Sequence, residues 1–120
     1  MSDAGVADVA DPVVRLTAEF TALPGHEEEV ARLLLGLAED VRREHGCLEF
    51  EPHRVVAPPS GIGVVAGPAP IGARFVVTEA YRDADAFAAH IAAPYGAVFN
   101  AALGALIVED GSVLTFLARG

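Results

Sequence analysis

Arg74–His90 reads RFVVTEAYRDADAFAAH: an alternating strand ending in Glu-x-Tyr, a turn at Asp83, and a helix that carries a histidine. By the period of two, Phe75, Val77, Glu79 and Tyr81 share one strand face, which begins apolar and ends polar. Asp83 has the short acceptor side chain of an N-cap. Ala84, Ala86, Ala88 and Ala89 supply helix propensity, and Phe87 and Ile91 form an apolar stripe. If the helix packs antiparallel on the strand, Glu79 lies roughly 13 Å back from Asp83 along the strand. His90 lies about 10 Å along the helix, on the flank of its buried stripe, so the two side chains reach similar depth. One strand-to-helix corner thus gathers a carboxylate, a phenol and an imidazole.

Upstream, Val13–Ala22 alternates with Val14, Leu16, Ala18, Phe20 and Ala22 on one face, which predicts a half-buried first strand. Pro24-Gly25 turns the chain, and Glu27–Glu29 open a helix whose N-terminal dipole they complement. Val30, Leu33, Leu34, Leu37, Ala38 and Val41 mark its buried face, Arg42 and Arg43 suit its C-terminus, and Gly46 reads as its C-cap. Cys47–Val55 alternates again, with Leu48 and Phe50 on one side and Glu49, Glu51 and His53 on the other. Pro58–Gly72 is a Pro- and Gly-rich loop without charge. Its Gly61-x-Gly63-x-x-x-Gly67 spacing is not a phosphate loop, because no lysine is near and Pro68 and Pro70 follow instead of a helix.

Beyond the opening stretch, Pro94 breaks the helix. Tyr95–Leu106 resumes it with Val98, Phe99, Ala102, Leu103 and Leu106, and Ser112–Ala118 gives a fourth strand after the Asp110-Gly111 turn. The order β-α-β-β-α-β predicts an α+β, ferredoxin-like domain: an antiparallel sheet with its helices on one face. The other face would show Arg15, Thr17, Glu19, Thr21, Glu49, Glu51, His53, Val76 and Thr78, a mixed surface that a symmetric homodimer would cover.

With 120 residues the chain has room for one domain, 13–120, after a disordered tail, 1–12, that lacks the basic start and apolar run of a signal peptide. Seventeen acidic residues against eight basic give a net charge of −9, which argues against nucleic acid and anionic membrane as partners. No run of eighteen apolar residues predicts a membrane span. The single cysteine, Cys47, excludes an internal disulfide, reads as an inert core residue and suits a reducing cytoplasm. The four histidines show no metal spacing, so no metal is expected. His26 and His45 sit at helix ends, and His53 suits a dimer contact.

Three segments, AEFTALPGHEEEVARLLLGL (Ala18–Leu37), GCLEFEPHR (Gly46–Arg54) and FVVTEAYRDADAFAAHIAAPY (Phe75–Tyr95), together resemble the antibiotic-biosynthesis monooxygenase (ABM) domain family, including its quinol monooxygenase members. The resemblance implies a dimeric α+β barrel of two ferredoxin-like units, with a pocket between helices and sheet in each. It also implies oxygen chemistry without a cofactor: a small phenol or hydroquinone loses a proton in an apolar cavity, and its anion reduces O2. Carried onto this chain, it casts His90 as the base, Tyr81 as an orienting hydrogen-bond donor and Glu79 as the group that holds and polarises His90. Phe20, Phe50, Phe75, Phe87 and Phe99 are the candidate substrate-binding walls. Haem-degrading relatives of this fold use an asparagine and a tryptophan where this chain has Ala18 and Tyr81, which argues against haem.

Each catalytic candidate also has a structural reading. Glu79 serves equally as an acceptor for a loop amide, His90 as a satisfied polar group on a helix flank, and Tyr81 as a core ring with its hydroxyl at the rim. The alternatives to a monooxygenase are therefore a non-enzymatic small-molecule binding module of the same fold, or an isomerase acting by proton transfer.

Overall fold

A computed structural model of the chain describes residues 11–67 and 72–120. The expected tail lies outside it except for Asp11 and Pro12, as does 68–71 of the Pro/Gly loop. The elements run β1 (Val14–Ala22), α1 (Glu27–Arg42), β2 (Cys47–Arg54), β3 (Ala73–Tyr81), α2 (Ala84–Ala92), α3 (Pro94–Leu103), a 3-10 turn (Gly104–Leu106) and β4 (Val113–Leu117). The sheet is antiparallel with strand order β2-β3-β1-β4, so β3 and β1 are central. This is the ferredoxin-like arrangement.

Alternation decides which face the sheet buries. Leu16, Ala18, Phe20 and Ala22 of β1 pack with Phe75, Val77, Glu79 and Tyr81 of β3, all buried. Val30, Leu34, Ala38 and Val41 of α1 close over them. Removing this apolar surface from water stabilises by about 25 cal/mol per Å². Asp83 caps α2 as expected, its carboxylate accepting from the Ala86 amide at 2.8 Å. Pro94 starts α3, and the axis bends by 60° at the break. No single helix among the described residues is long and apolar enough to cross a membrane.

Several expectations are corrected. Leu48 is exposed, because a bulge between Cys47 and Glu49 shifts the β2–β3 register and leaves Phe50 as the one fully buried residue of β2. Val98 is exposed as well; Phe99 and Leu103, four residues apart, are the side chains α3 buries. Thr21, expected on the open face, is buried beneath Glu109, whose carboxylate accepts from the Thr21 amide at 2.6 Å and hydroxyl at 2.8 Å. Burial alone would raise the Glu109 pKa, but these hydrogen bonds outweigh it and the net displacement is downward. The same segment bridges Ile107 to Ala22 and closes one end of the core.

Gly46 is not the C-cap of α1, which is Arg43. Its role is close approach: a Cβ at Gly46 would stand 2.3 Å from the Ala86 Cβ, and its carbonyl accepts from the Arg82 amide at 2.8 Å. The start of α2 therefore rests on bare backbone. Gly46→Ala should cost roughly 1–3 kcal/mol by overpacking, whereas Gly36→Ala, with nothing within 4 Å of the new methyl, should stabilise by up to ~1 kcal/mol. Thermal unfolding of the two variants checks this, and an unchanged melting temperature for Gly46→Ala would contradict the packing described.

Candidate active site

Between the sheet and the bent pair α2–α3 lies a cavity of about 430 Å³. It exists because α2 buries none of its residues fully and stands off the sheet. Its walls are mainly apolar, with Leu16, Phe20, Phe50, Val77, Phe87 and Phe99 prominent. Four polar residues contribute to the lining: Glu79, His90, Asn100 and Ser112. Gly111, Ser112 and Leu114 carry the lining to β4, where Leu114 and Phe116 are half exposed and Phe116 meets Phe87 edge-on, ring centroids 5.6 Å apart.

Glu79 sits mid-sheet on β3, with Leu16 and Phe50 as its cross-strand partners, and is 7% exposed. Burial raises its pKa above the ordinary 4.5. The hydrogen bond from Tyr81 and the nearby His90 oppose that shift, and Glu44 adds to it. Tyr81 is fully buried and donates its hydroxyl to Glu79 Oε1 at 2.7 Å. Burial, followed by the Glu79 charge and hydrogen bond, pushes its phenol well above the ordinary range.

His90, on the last turn of α2, lies between two carboxylates. Its Nδ1 is 3.1 and 3.2 Å from the two oxygens of Glu44, and its Nε2 is 3.9 Å from Glu79 Oε1. The imidazole packs on the Tyr81 ring at 4.7 Å between centroids and is flanked by Phe87 and Phe50. Tyr95, on the first turn of α3, donates its hydroxyl to Glu44. Burial, then this bond, raises the Tyr95 pKa. Glu44 is aimed by the turn after α1, in which its amide donates to Val41 and its carbonyl accepts from Cys47.

The structure thus brings Glu79, Tyr81 and His90 together, with two differences from the sequence reading. The carboxylate hydrogen-bonded to His90 is Glu44; Glu79 instead accepts from Tyr81 and faces His90 across a gap too long for a hydrogen bond. Tyr81 does not line the cavity, so its hydroxyl orients Glu79. Of the five phenylalanines, Phe20, Phe50, Phe87 and Phe99 form walls. Phe75 does not. It stacks behind Phe20 at 5.8 Å and is covered by the Arg54 guanidinium at 4.9 Å.

Sequence reading missed Glu44, Tyr95 and Asn100. The one signal for Glu44 was that a half-buried histidine needs a partner. Among the described residues no group of three or more His, Cys, Asp or Glu side chains is arranged to hold a metal ion. His53 is exposed on the outer sheet face, with Nδ1 3.3 Å from the Val76 carbonyl oxygen. Cys47 is half-buried with its thiol pKa raised, first by burial and then by Glu44, which suits an unreactive side chain.

The fold is α+β and ferredoxin-like, and its cavity sets a carboxyl group and an imidazole among largely apolar walls. The sequence model of the antibiotic biosynthesis monooxygenase family matches residues 13–102, and the chain belongs to that family. No curated protein matches it by sequence. Among solved structures it is similar to Rv0793 from Mycobacterium tuberculosis, with 22% identity, a TM-score of 0.69, and 89% of this chain and 94% of that one covered. It is also similar to PA3566 from Pseudomonas aeruginosa, with 26% identity, a TM-score of 0.69, and 94% and 98% covered. A Caulobacter crescentus protein provisionally named an antibiotic biosynthesis monooxygenase matches with 22% identity, a TM-score of 0.71, and 92% of each chain covered.

Because the folded state holds the Glu79 proton more tightly than the unfolded chain, it binds more protons between pH 4.5 and the raised value. This group's contribution to stability therefore falls as pH rises through that window. Glu79→Gln removes the titration and keeps an acceptor for Tyr81. Urea unfolding from pH 4.5 to 7.5 should show the variant gaining stability relative to wild type as pH rises, and a pH-independent difference would contradict the raised pKa.

Proposed function

We propose that the protein is a monooxygenase that needs no cofactor and oxidises a small aromatic or quinol substrate with O2. The single observation that carries this reading is the His90 imidazole, held by Glu44 on one nitrogen and presenting the other to a largely apolar cavity beside Glu79. Family membership supports the class of reaction.

In the proposed reaction His90 Nε2 takes a proton from the bound phenol or activated CH, and the imidazolium is stabilised by Glu44 and Glu79. The electron-rich substrate anion transfers one electron to O2, and the resulting pair couples to a carbon–oxygen bond, giving a peroxide. His90 returns its proton to the peroxide. Loss of the remaining carbon hydrogen with cleavage of the O–O bond leaves a carbonyl and water. For an anthrone-like substrate, one ring methylene and one O2 become one carbonyl and one water; for a hydroquinone, the quinol and one O2 become a hydroxyquinone and one water, and in both one oxygen atom stays on carbon while the other leaves as water. The substrate supplies all four electrons. Asn100 offers an amide donor to a developing oxyanion, and the phenylalanine walls exclude water from the peroxide.

The working unit in this reading is a homodimer joined through the open sheet face. Support comes from that face's mixed surface and from Val113 and Leu117 of β4, 52% and 51% exposed, which the register places beside Glu19 and Arg15.

O2 consumption with a panel of hydroquinones and anthrone-like phenols tests the reaction. Uptake should exceed autoxidation and fall by ~10²-fold or more in His90→Ala, with a smaller loss in Glu79→Gln. Exchange of a substrate proton with solvent but no uptake would replace this reading with a proton-transfer isomerase. Saturable binding with neither would replace it with a binding module.

A further inference from the structure

The imidazole of His90 divides two solvent-facing spaces. Its Nε2 side belongs to the main cavity with Glu79. Its Nδ1 partner, Glu44, and the Tyr95 that holds Glu44 line a separate surface depression with His45, Arg82 and Asp85. Glu44 is absent from the lining of the main cavity, so it meets a bound molecule only through His90.

We propose that Glu44, itself held by the Tyr95 hydroxyl, is the positioning residue that locks His90 as its Nδ1–H tautomer and leaves the Nε2 lone pair facing the cavity. An ionised carboxylate only accepts hydrogen bonds, so the nitrogen facing both Glu44 oxygens at 3.1 and 3.2 Å is the one that carries the proton. The rival tautomer would place the proton on Nε2, where the only carboxylate among the described residues is Glu79 at 3.9 Å, beyond hydrogen-bond reach. That oxygen, Oε1, already accepts from Tyr81. Tyr95 donates to Glu44 Oε2, one of the two oxygens that face His90 Nδ1, and so holds the carboxylate in place. Because Glu44 comes from the α1–β2 turn, His90 from α2 and Tyr95 from α3, the contact also fixes the bent pair against the rest of the fold. Orienting a base through its remote nitrogen is the role the buried carboxylate plays in hydrolase triads.

The inference concerns His90 as the base in the proposed reaction, yet the tautomer can be read without substrate. Nitrogen-15-labelled histidine and long-range proton–nitrogen correlation at a pH where the imidazole is neutral report it, with His90→Gln assigning the signals. Wild type should show a protonated Nδ1 and a lone-pair Nε2. Glu44→Gln, which keeps an acceptor oxygen, should retain that pattern. Glu44→Leu should lose it in favour of the Nε2–H form, and Tyr95→Phe should fall between.

An Nε2–H tautomer in wild type, or an unaltered Nδ1–H signal in Glu44→Leu, would overturn the inference, and the wild-type spectrum decides even if the leucine variant does not fold. Where turnover is observed, Glu44→Leu should lower kcat by ~10²-fold or more while KM stays nearly constant. A protein with the expected tautomer but no O2 uptake would fail the proposed reaction and keep this arrangement.

Discussion

Burying the Glu79 carboxyl on the inner face of a central strand costs several kcal/mol unless partners offset it, and much of the interior is arranged around that cost. Tyr81, two residues along the same face, commits its hydroxyl to Glu79 and becomes fully buried in doing so. His90 reaches in from α2 to place a second titratable group 3.9 Å from the Glu79 carboxylate, and its other nitrogen is satisfied by Glu44. Tyr95 then satisfies Glu44. The result is a polar chain, Tyr95–Glu44–His90–Glu79–Tyr81, running from a surface depression into a core otherwise built from Leu, Val and Phe. Along it the groups pass from the part-exposed Tyr95, Glu44 and His90 to the buried Glu79 and Tyr81.

The same arrangement explains the cavity. A helix that packed its whole apolar stripe onto the sheet would fill the space over Val77 and Glu79. Instead α2 starts against the bare backbone of Gly46, ends at Ala92 ahead of Pro94 and turns by 60° into α3, so that Phe99 and Leu103 close one side while Phe87 and Ile91 only rim the gap. Stability given up by leaving that space unfilled is consistent with a site that must admit a ligand. The Ile107–Glu109 segment, tied to Thr21, closes the end of the core away from the histidine.

Much of this was legible in the sequence because the signals were local. Strict alternation marked β1 and β3, the i, i+3, i+4 pattern marked α1, and Asp83 and Pro94 punctuated the second helical region. Even the meeting of Glu79 and His90 follows from counting rises along a strand and a returning helix. What escaped was set by tertiary contact. Glu44 stands forty-six residues from His90, in a turn with no periodicity, among charges that read as a helix end. Leu48 fits the alternation of β2 but is turned outward by a bulge that pairing with β3 imposes. Thr21 alternates outward yet is buried by a segment nearly ninety residues later. Phe75 lies on the expected face, but only the packing of Arg54 and Phe20 puts it behind the cavity wall.

The central claim is that His90 removes a proton from a molecule held in the cavity. The most direct test is an oxygen-free titration with a phenol whose anion absorbs at longer wavelength, at a pH where the phenol is neutral in solution. Wild-type protein should bind it as the anion and His90→Ala as the neutral form. Neutral phenol bound to wild type, or the same ionisation in both proteins, would contradict the account.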